Sequence, residues 1–142
     1  GDYFVDYAHT PNAFIQIFKT LKKLTTDERD IITVFGCGGN RDSQKRPVMA
    51  EIAENYSDYV IVTSDNPRME NLEKIIEDIV TGFHKSNHAI VYNRKEAIHQ
   101  AIYRSHQNSI VLLLGKGRDD YEIIGTEKIY HSDIKTVENY AG

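Results

Sequence analysis

The sequence has very little of several things that mark whole classes of protein. It contains a single cysteine, Cys37, so no disulfide can form within the chain, which indicates a reducing compartment. No apolar run approaches the roughly 20 residues that a membrane-spanning helix needs, and no signal peptide precedes the first strand pattern. We therefore expect a soluble, cytoplasmic protein that does not insert into a membrane.

Proline is scarce as well, and positive charge is not in excess. With 3 Pro, 9 Gly and 40% hydrophobic residues, the composition argues against collagen, disorder and a coiled coil. The formal net charge is -4, which disfavours a surface that follows the phosphates of a nucleic acid. A length of 142 residues fits one domain with a single sizeable core.

What the chain does contain is an alternation of apolar strands and amphipathic helices, which is typical of a βαβ architecture. Strands are predicted at about 2–7, 31–35, 59–63, 89–92 and 109–114, and a terminal hairpin at 121–124 and 127–130. Strands this apolar imply a sheet that is covered on both faces. We therefore predict one doubly wound α/β domain over residues 1–142, with a mostly parallel, six-stranded Rossmann-like sheet and a C-terminal hairpin.

Capping residues indicate where several helices begin. Thr10 is a typical N-cap, and Pro11 follows it at the first helical position. Asn93 with Glu96 three residues later resembles a capping box, and Ser132 is placed to cap a last short helix. These capping residues predict helices between the strands and after the last of them.

The strand at 59–63 leads into the tetrapeptide Asp65-Asn66-Pro67-Arg68. The carboxyl end of a buried strand is where ligands bind in open α/β sheets. An Arg suits a carboxylate, and Asp and Asn can accept from an ammonium group, so the set suits an amino acid. Taken alone, the tetrapeptide is also typical of an Asx-turn with a solvated Arg.

Two further strand ends carry polar or glycine-rich segments. Asp6 and His9 lie beside the predicted start of the first helix, where an anion can bind, although a simple capping turn has the same pattern. A glycine-rich turn at 36–39 precedes Arg41, which stands where the dinucleotide fingerprint needs its last glycine, so that motif is not met. Cys37 has no base near it in sequence and is predicted to be a buried structural thiol.

The last strand end, at 115–121, resembles a phosphate loop only superficially. Ile110 stands where the Walker pattern needs its early glycine, so we do not expect the chain to hydrolyse ATP unaided. The remaining histidines show no ligand spacing and are predicted to lie on the surface: His84, His88, His99, His106 and His131. No metal cluster or Ser/His/Asp arrangement is indicated.

Together these segments resemble one family closely, the C-terminal domain of the Mur ligases and specifically of the UDP-N-acetylmuramoyl-tripeptide synthetases (MurE). The matching pieces are DYAHTP at 6–11, VFGCGGNRD at 34–42, KRP at 45–47, VTSDNPR at 62–68 and GKGRDDYE at 115–122. They stand in the family's order across nearly the whole chain. The resemblance implies that this domain, which opens directly on a strand pattern, is a fragment of a larger three-domain enzyme.

The resemblance also implies an activity. Family members are ATP-dependent ligases that add meso-diaminopimelate to UDP-N-acetylmuramoyl-L-alanyl-D-glutamate in peptidoglycan biosynthesis, through an acyl phosphate. ATP and Mg2+ would be bound mainly by upstream domains, so the isolated domain is expected to be inactive. The alternatives are the same ligase using lanthionine or lysine, or a nucleotide-binding Rossmann module of an oxidoreductase.

Carried over residue by residue, the resemblance predicts a binding site for the diamino acid. Its residues are Arg41, Asp65, Asn66, Pro67, Arg68, Gly115 and Asp119. Arg68 would clamp the distal carboxylate and Asn66 would help to hold the distal centre, so lysine would leave Arg68 without a partner. Asp119 stands where the family usually has Glu, so its contact with an ammonium must shift by one methylene. Asp6 and His9 match positions near ATP.

Overall fold

The structure is a computed structural model that describes residues 2–25 and 29–141. Its strands are β1 (Asp2–Asp6), β2 (Ile31–Phe35), β3 (Tyr59–Val62), β4 (His88–Ile90), β5 (Ile110–Leu114), β6 (Tyr121–Ile124) and β7 (Glu127–Tyr130). Its helices are α1 (Pro11–Leu24), α2 (Lys45–Tyr56), α3 (Leu72–Val80), α4 (Arg94–Arg104) and α5 (Asp133–Ala141). In the described part of the chain, every helix falls short of the length and apolar character that spanning a bilayer requires.

The sheet contains five parallel strands among the described residues, in the order β1-β5-β2-β3-β4. The predicted six-stranded sheet is therefore wrong in its strand count, because β6 and β7 pair with each other as a separate antiparallel hairpin. The hairpin joins a loop instead of a sheet edge. Arg68 N donates to the Ile123 carbonyl at 3.0 Å, and Gly125 N donates to the Arg68 carbonyl at 2.7 Å. The doubly wound α/β architecture itself is confirmed.

Helices cover both faces of the sheet because successive side chains of each buried strand point to opposite sides. Phe35 and Leu112 face the side that packs against α1, α2 and α3. Val34 and Leu113, their neighbours in sequence, face the side that packs against α4. Each large apolar side chain removed from water in this way stabilises the fold by about 1.5–3 kcal/mol.

The predicted caps set the starts of three helices. Thr10 Oγ1 accepts from the Ala13 N–H at 3.2 Å at the start of α1. Asn93 Oδ1 accepts from the Glu96 N–H at 2.9 Å at the start of α4. Ser132 caps α5 in the same way. Each of these bonds satisfies a backbone donor that the helix itself cannot, which is worth about 1 kcal/mol.

The chain order of the strands places a crevice between β2 and β5. The connection after β2 leads to α2 on one face of the sheet, while the chain after β5 leads through the hairpin to α5, which packs beside α4 on the other. Where successive connections depart to opposite faces, the loops at the carboxyl ends of the strands separate and leave room for a ligand.

Candidate functional site

A cleft of about 450 Å³ opens at the carboxyl ends of β1, β2, β3 and β5, lined by the loops that follow these strands. Seven of the nine predicted site residues line it: His9, Arg41, Asp65, Asn66, Arg68, Gly115 and Asp119. The other two do not. Pro67 lines a smaller neighbouring pocket, and the Asp6 carboxylate accepts from the Ala8 N–H at 2.8 Å within its own turn.

The loops after β2 and β3 are joined to each other along the cleft. Gly39 N donates to the Asn66 carbonyl at 2.9 Å, and a Cβ at Gly39 would overlap the Pro67 carbonyl. Asn66 and Arg68 have φ angles of 46° and 55°, in the left-handed region that costs a non-glycine residue roughly 1 kcal/mol or more. The contacts with the glycine-rich loop hold this strained backbone in place, which fixes where the Arg68 side chain starts.

The side chains of two arginines, Arg41 and Arg68, lie against Gly38 in the cleft. Arg68 Nη1 donates to the carbonyls of Gly39 and Asn66, both at 3.2 Å, while its other nitrogens make no hydrogen bond among the described residues. A Cβ at Gly38 would lie 2.9 Å from Arg68 Nη1 and 3.4 Å from Arg41 Cγ, so a side chain there would crowd both. This part of the cleft therefore offers the forked donors that a carboxylate accepts best.

An ammonium group from the chain itself lies against Asp65 and Asn66. Lys116 Nζ donates to Asp65 Oδ1 at 3.1 Å and to Asn66 Oδ1 at 2.8 Å, and the Lys116 side chain is only 1% exposed. The same Asn66 oxygen accepts from the Ile123 N–H at 2.9 Å. Sequence reasoning missed Lys116; its one signal was a lysine between two glycines directly after the most apolar strand.

The loop after β5 also lines the cleft, next to Asp65. Gly115 has a φ angle of 113°, and a Cβ there would overlap the Asp65 carboxylate, so glycine is required. Gly115 N donates to the Asp6 carbonyl at 3.0 Å, which ties this loop to the end of β1. Asp119 is half-buried and lines the cleft, whereas Asp120 is exposed and does not. Asp119 is therefore the carboxylate that this loop presents to a ligand.

Arg46, at the start of α2, is held by acidic residues instead of facing a ligand freely. Its Nη1 donates to Glu70 at 2.7 Å and to Asp78 at 3.0 Å, and its Nη2 donates to the Gly38 carbonyl at 3.1 Å. The hydrogen bond from Arg46 lowers the pKa of Glu70 to about 2. The sequence does not indicate which of the two neighbouring cations, Lys45 or Arg46, is buried. In the structure Arg46 is buried and Lys45 is exposed at the cleft.

Cys37 lies at the floor of the cleft and is 8% exposed. Its sulfur is 3.8 Å from Met49 Sδ. Burial, reinforced by the nearby negative charge of Asp65, raises the pKa of Cys37 to about 12. The thiol is therefore protonated at neutral pH, which confirms the predicted structural role and argues against a nucleophile.

A second buried guanidinium lies behind the cleft. Arg94 donates from Nε and Nη2 to the two carboxylate oxygens of Asp133, both at 2.8 Å, and the side chains are 1% and 0% exposed. Arg94 also donates to the carbonyls of Ser64 and Leu114, both at 3.0 Å. It therefore ties the end of β5 and the loop after β3 to the first turn of α5.

The histidines are only partly where the sequence predicted them. His84 and His106 are exposed, while His88 and His99 are half-buried. The His131 side chain is 9% exposed, so its predicted surface position is wrong: its Nε2 lies 2.6 Å from Asp133 Oδ1. Helix α5 brings Asp133 inward to meet Arg94, and His131 follows because it lies two residues earlier.

A family model matches most of the chain. The model described as "Mur ligase, glutamate ligase domain" matches residues 2–117, which include all four strand ends of the cleft. The chain belongs to this family. Membership confirms the resemblance inferred from the four motifs, and it agrees with the observed α/β fold.

Individual Mur ligase relatives match nearly the whole chain. It is 43% identical over 139 residues to "UDP-N-acetylmuramoyl-L-alanyl-D-glutamate--2,6-diaminopimelate ligase 1" of Clostridium acetobutylicum, covering 98% of this chain and 28% of the relative. It is 48% identical over 134 residues to the 2,6-diaminopimelate ligase of Fusobacterium nucleatum, covering 94% and 27%. A solved structure of a 2,6-diaminopimelate ligase has a TM-score of 0.90 at 38% identity, covering 97% and 28%. The chain thus spans less than a third of the length of these relatives.

Proposed function

We propose that this chain is the amino-acid-binding domain of an ATP-dependent ligase, and that the complete enzyme adds meso-diaminopimelate to UDP-N-acetylmuramoyl-L-alanyl-D-glutamate in peptidoglycan biosynthesis. The observation that carries the proposal is the convergence of Arg41, Arg68 and Asp119 on one cleft. Donors for a carboxylate and an acceptor for an ammonium then face the same space, as a diamino dicarboxylic acid requires. The names of the relatives support the same substrate.

In this proposal the domain contributes orientation to the reaction. Arg68 holds the distal carboxylate of the diamino acid, Arg41 reaches a second carboxylate, and Asp119 accepts from an ammonium with help from the Gly115 carbonyl. The amine at the other end, in its uncharged form, then attacks the carbonyl carbon of the acyl phosphate, so that the amide C–N bond forms, the acyl C–O bond breaks, and inorganic phosphate and a proton leave. Holding the amine in place removes much of the entropic barrier to the attack, and such positioning can be worth several kcal/mol.

When ATP is bound, it would supply the phosphoryl group that activates the glutamate carboxylate of the UDP-dipeptide. His9 is exposed at the start of α1 and lines the cleft, so it is the residue of this chain that would contact a phosphate. Asp6 fits that role less well, because one carboxylate oxygen is already bonded in its own turn. We propose, from membership of the Mur ligase family, that ATP and Mg2+ are bound mainly by other domains of the complete enzyme.

The charges of the cleft favour diaminopimelate over lysine. Lysine lacks the distal carboxylate, so it would leave the half-buried Arg68 without a charged partner, which is costly in a closed site. Lanthionine keeps both carboxylates and both amines, so it stays the alternative substrate. An oxidoreductase module is set aside, because the chain belongs to a ligase family and Arg41 occupies the fingerprint position.

The test is Arg68→Ala in the complete ligase, assayed with ATP, the UDP-dipeptide and meso-diaminopimelate. Loss of a charged hydrogen bond of about 1.5–3 kcal/mol predicts a fall of roughly 10- to 100-fold in kcat/KM for the diamino acid. The KM for ATP should not change. Arg118→Ala is the matched control, because Arg118 is exposed and lies outside the cleft.

Two results would count against the proposal in different ways. Unchanged use of diaminopimelate by the Arg68→Ala enzyme would remove Arg68 from the site. Failure of the unaltered enzyme to ligate diaminopimelate or lanthionine, with both other substrates present, would overturn the function itself.

A further inference from the structure

Lys116 is a buried charge to which the proposed function gives no role. It follows Gly115 at the end of β5, is 1% exposed and does not line the cleft. A buried ammonium is costly unless it is paired, so its partners indicate what it does. Those partners are the carboxylate of Asp65 and the side-chain oxygen of Asn66, at 3.1 and 2.8 Å.

The two donors on Asn66 Oδ1 determine how its side-chain amide is turned. Lys116 Nζ and the Ile123 N–H both donate to this oxygen, at 2.8 and 2.9 Å. The reversed amide would set its NH2 group against two other donors and would lose both bonds. The oxygen therefore faces inward, and the NH2 group is the part of Asn66 that is left for the cleft.

The Asp65 carboxylate is likewise engaged within the protein and does not face the ligand freely. It is 6% exposed; one carboxylate oxygen bonds Lys116, and the other lies so close to Gly115 that a Cβ there would overlap it. Its negative charge is therefore balanced by Lys116 within the chain. This changes the role expected for Asp65 and Asn66 from the sequence, where both were candidates to accept from the ammonium of a ligand.

We propose that Lys116 is a positioning residue for the carboxylate subsite: it neutralises Asp65 and holds the Asn66 amide with its NH2 group toward the cleft, on the side of Arg68. This inference rests on the proposed function and deepens it. The loop 65–68 then recognises its ligand with donors alone, so it selects a carboxylate. The ammonium of the ligand is left to Asp119 and the Gly115 carbonyl, in the loop after β5.

The first test is Asn66→Asp in the complete ligase, because Asp keeps the shape and its carboxylate can still accept from Lys116 and Ile123. Three compounds are compared: meso-diaminopimelate, lysine, which lacks the distal carboxylate, and 2-aminopimelate, which lacks the distal ammonium. KM is measured for meso-diaminopimelate, and the inhibition constants against it are measured for the other two. We expect the constants for the two dicarboxylates to rise about tenfold or more, and that for lysine to change little. Improved binding of all three would overturn the proposal, because Asn66 would then be an acceptor.

The second test addresses Lys116 itself. Lys116→Met alone leaves Asp65 buried and unpaired, so Asp65→Asn is combined with it to remove both charges. The double variant should weaken both dicarboxylates by about tenfold relative to lysine and leave the KM for ATP unchanged. An equal loss for all three compounds, or for ATP as well, would show a merely structural role and would overturn the positioning role.

Asp119→Asn supplies the converse pattern. It should weaken meso-diaminopimelate and lysine but leave 2-aminopimelate, which has no distal ammonium, nearly unchanged. Asp120→Asn is its matched control, because Asp120 is exposed next to Asp119 and lies outside the cleft. Turnover of meso-diaminopimelate by the unaltered enzyme is measured first, so failure of the proposed function is distinguished from failure of this inference.

Discussion

Two buried arginines support the cleft, and they differ in the partners that hold them. Arg46 and Arg94 are each 1% exposed as side chains. The carboxylates on Arg46, Glu70 and Asp78, are 27% and 29% exposed, whereas Asp133, the partner of Arg94, is 0% exposed. A carboxylate that reaches water can be rehydrated when its partner is lost, but a fully buried one cannot. Although the two arginines are equally buried, loss of Arg94 should therefore destabilise the fold more than loss of Arg46.

The two arginines also hold different parts of the site. Arg94 bonds the carbonyls of Ser64 and Leu114, which directly precede Asp65 and Gly115 of the cleft. Arg46 donates to one backbone carbonyl at the cleft, that of Gly38 in the glycine-rich loop. The geometry of the loops after β3 and β5 thus depends on Arg94, and the glycine-rich loop depends on Arg46.

The largest effect is expected for Arg94→Met, which removes the guanidinium from the buried Asp133 and leaves it the contact with His131. The free energy of unfolding, measured by urea titration, should fall by about 3–5 kcal/mol. Adding Asp133→Leu removes the second charge and should recover most of this loss. A loss below about 1 kcal/mol in the single variant would show that His131 or water compensates the charge of Asp133, and it would end the contrast between the arginines.

A smaller loss is expected for Arg46→Met. Glu70 and Asp78 can turn to water, so the free energy of unfolding should fall by about 1–3 kcal/mol in the same titration. Arg118→Met, at an exposed position, should change it by no more than about 0.5 kcal/mol. If Arg46→Met costs as much as Arg94→Met, exposure of the partner is not what separates the two clusters.

Acid should weaken the Arg46 cluster through Glu70. The bond from Arg46 lowers the pKa of Glu70 from 4.5 to about 2, so Glu70 contributes stability that is present above about pH 4.5 and is lost as the pH falls toward 2. Burial opposes a lower pKa at Asp133, but the charge and hydrogen bonds of Arg94 outweigh it, so the pKa of Asp133 also lies well below its usual range. Glu70→Gln should flatten the loss of stability between about pH 4.5 and pH 2, by no more than about 1 kcal/mol because Glu70 is partly exposed. An unchanged acid profile in that variant would contradict the assignment.

The smallest effect on substrate binding is expected for changes at Cys37. Burial is the main cause of its raised pKa; the charge of Asp65 adds to the rise and the charge of Arg46 opposes it. Because burial raises the pKa of this thiol to about 12, a thiol reagent at pH 7.5 should label the folded protein slowly and the unfolded protein fully. Cys37→Ala should leave the KM for the diamino acid within about twofold. Fast labelling of the folded protein would contradict this prediction. It would show that Cys37 becomes exposed even though both arginine clusters are intact.

Much of the fold could be predicted because its signals are local. Thr10, Asn93 and Ser132 cap the helices that the sequence assigned to them, and β2 has the bounds that its apolar run indicates. The strand count could not be predicted in the same way. Ile123 and Gly125 use their backbone groups on Arg68, and nothing in a hairpin pattern tells which backbone its edge will meet.

The sequence could predict that most of the candidate-site residues lie together, but not which partners hold each of them. Residues that follow parallel strands must gather at one edge, so the motifs placed Arg41, Arg68 and Asp119 in a common cleft. Whether a cation is free or buried depends on partners far away in the chain. Arg94 meets Asp133 across 39 residues, and no pattern around either residue announces the pair.

The sequence by itself determined the family and the alternation of strands and helices, because motif identity and periodicity are properties of neighbouring residues. Only the tertiary structure decided which way the polar groups of the cleft face. Lys116 lies 51 residues from Asp65, and Ile123 lies 57 residues from Asn66. These donors reach their acceptors because the sheet order brings the end of β5 and the hairpin against the loop after β3. That contact directs the Asn66 amide, and with it the proposed choice of a carboxylate.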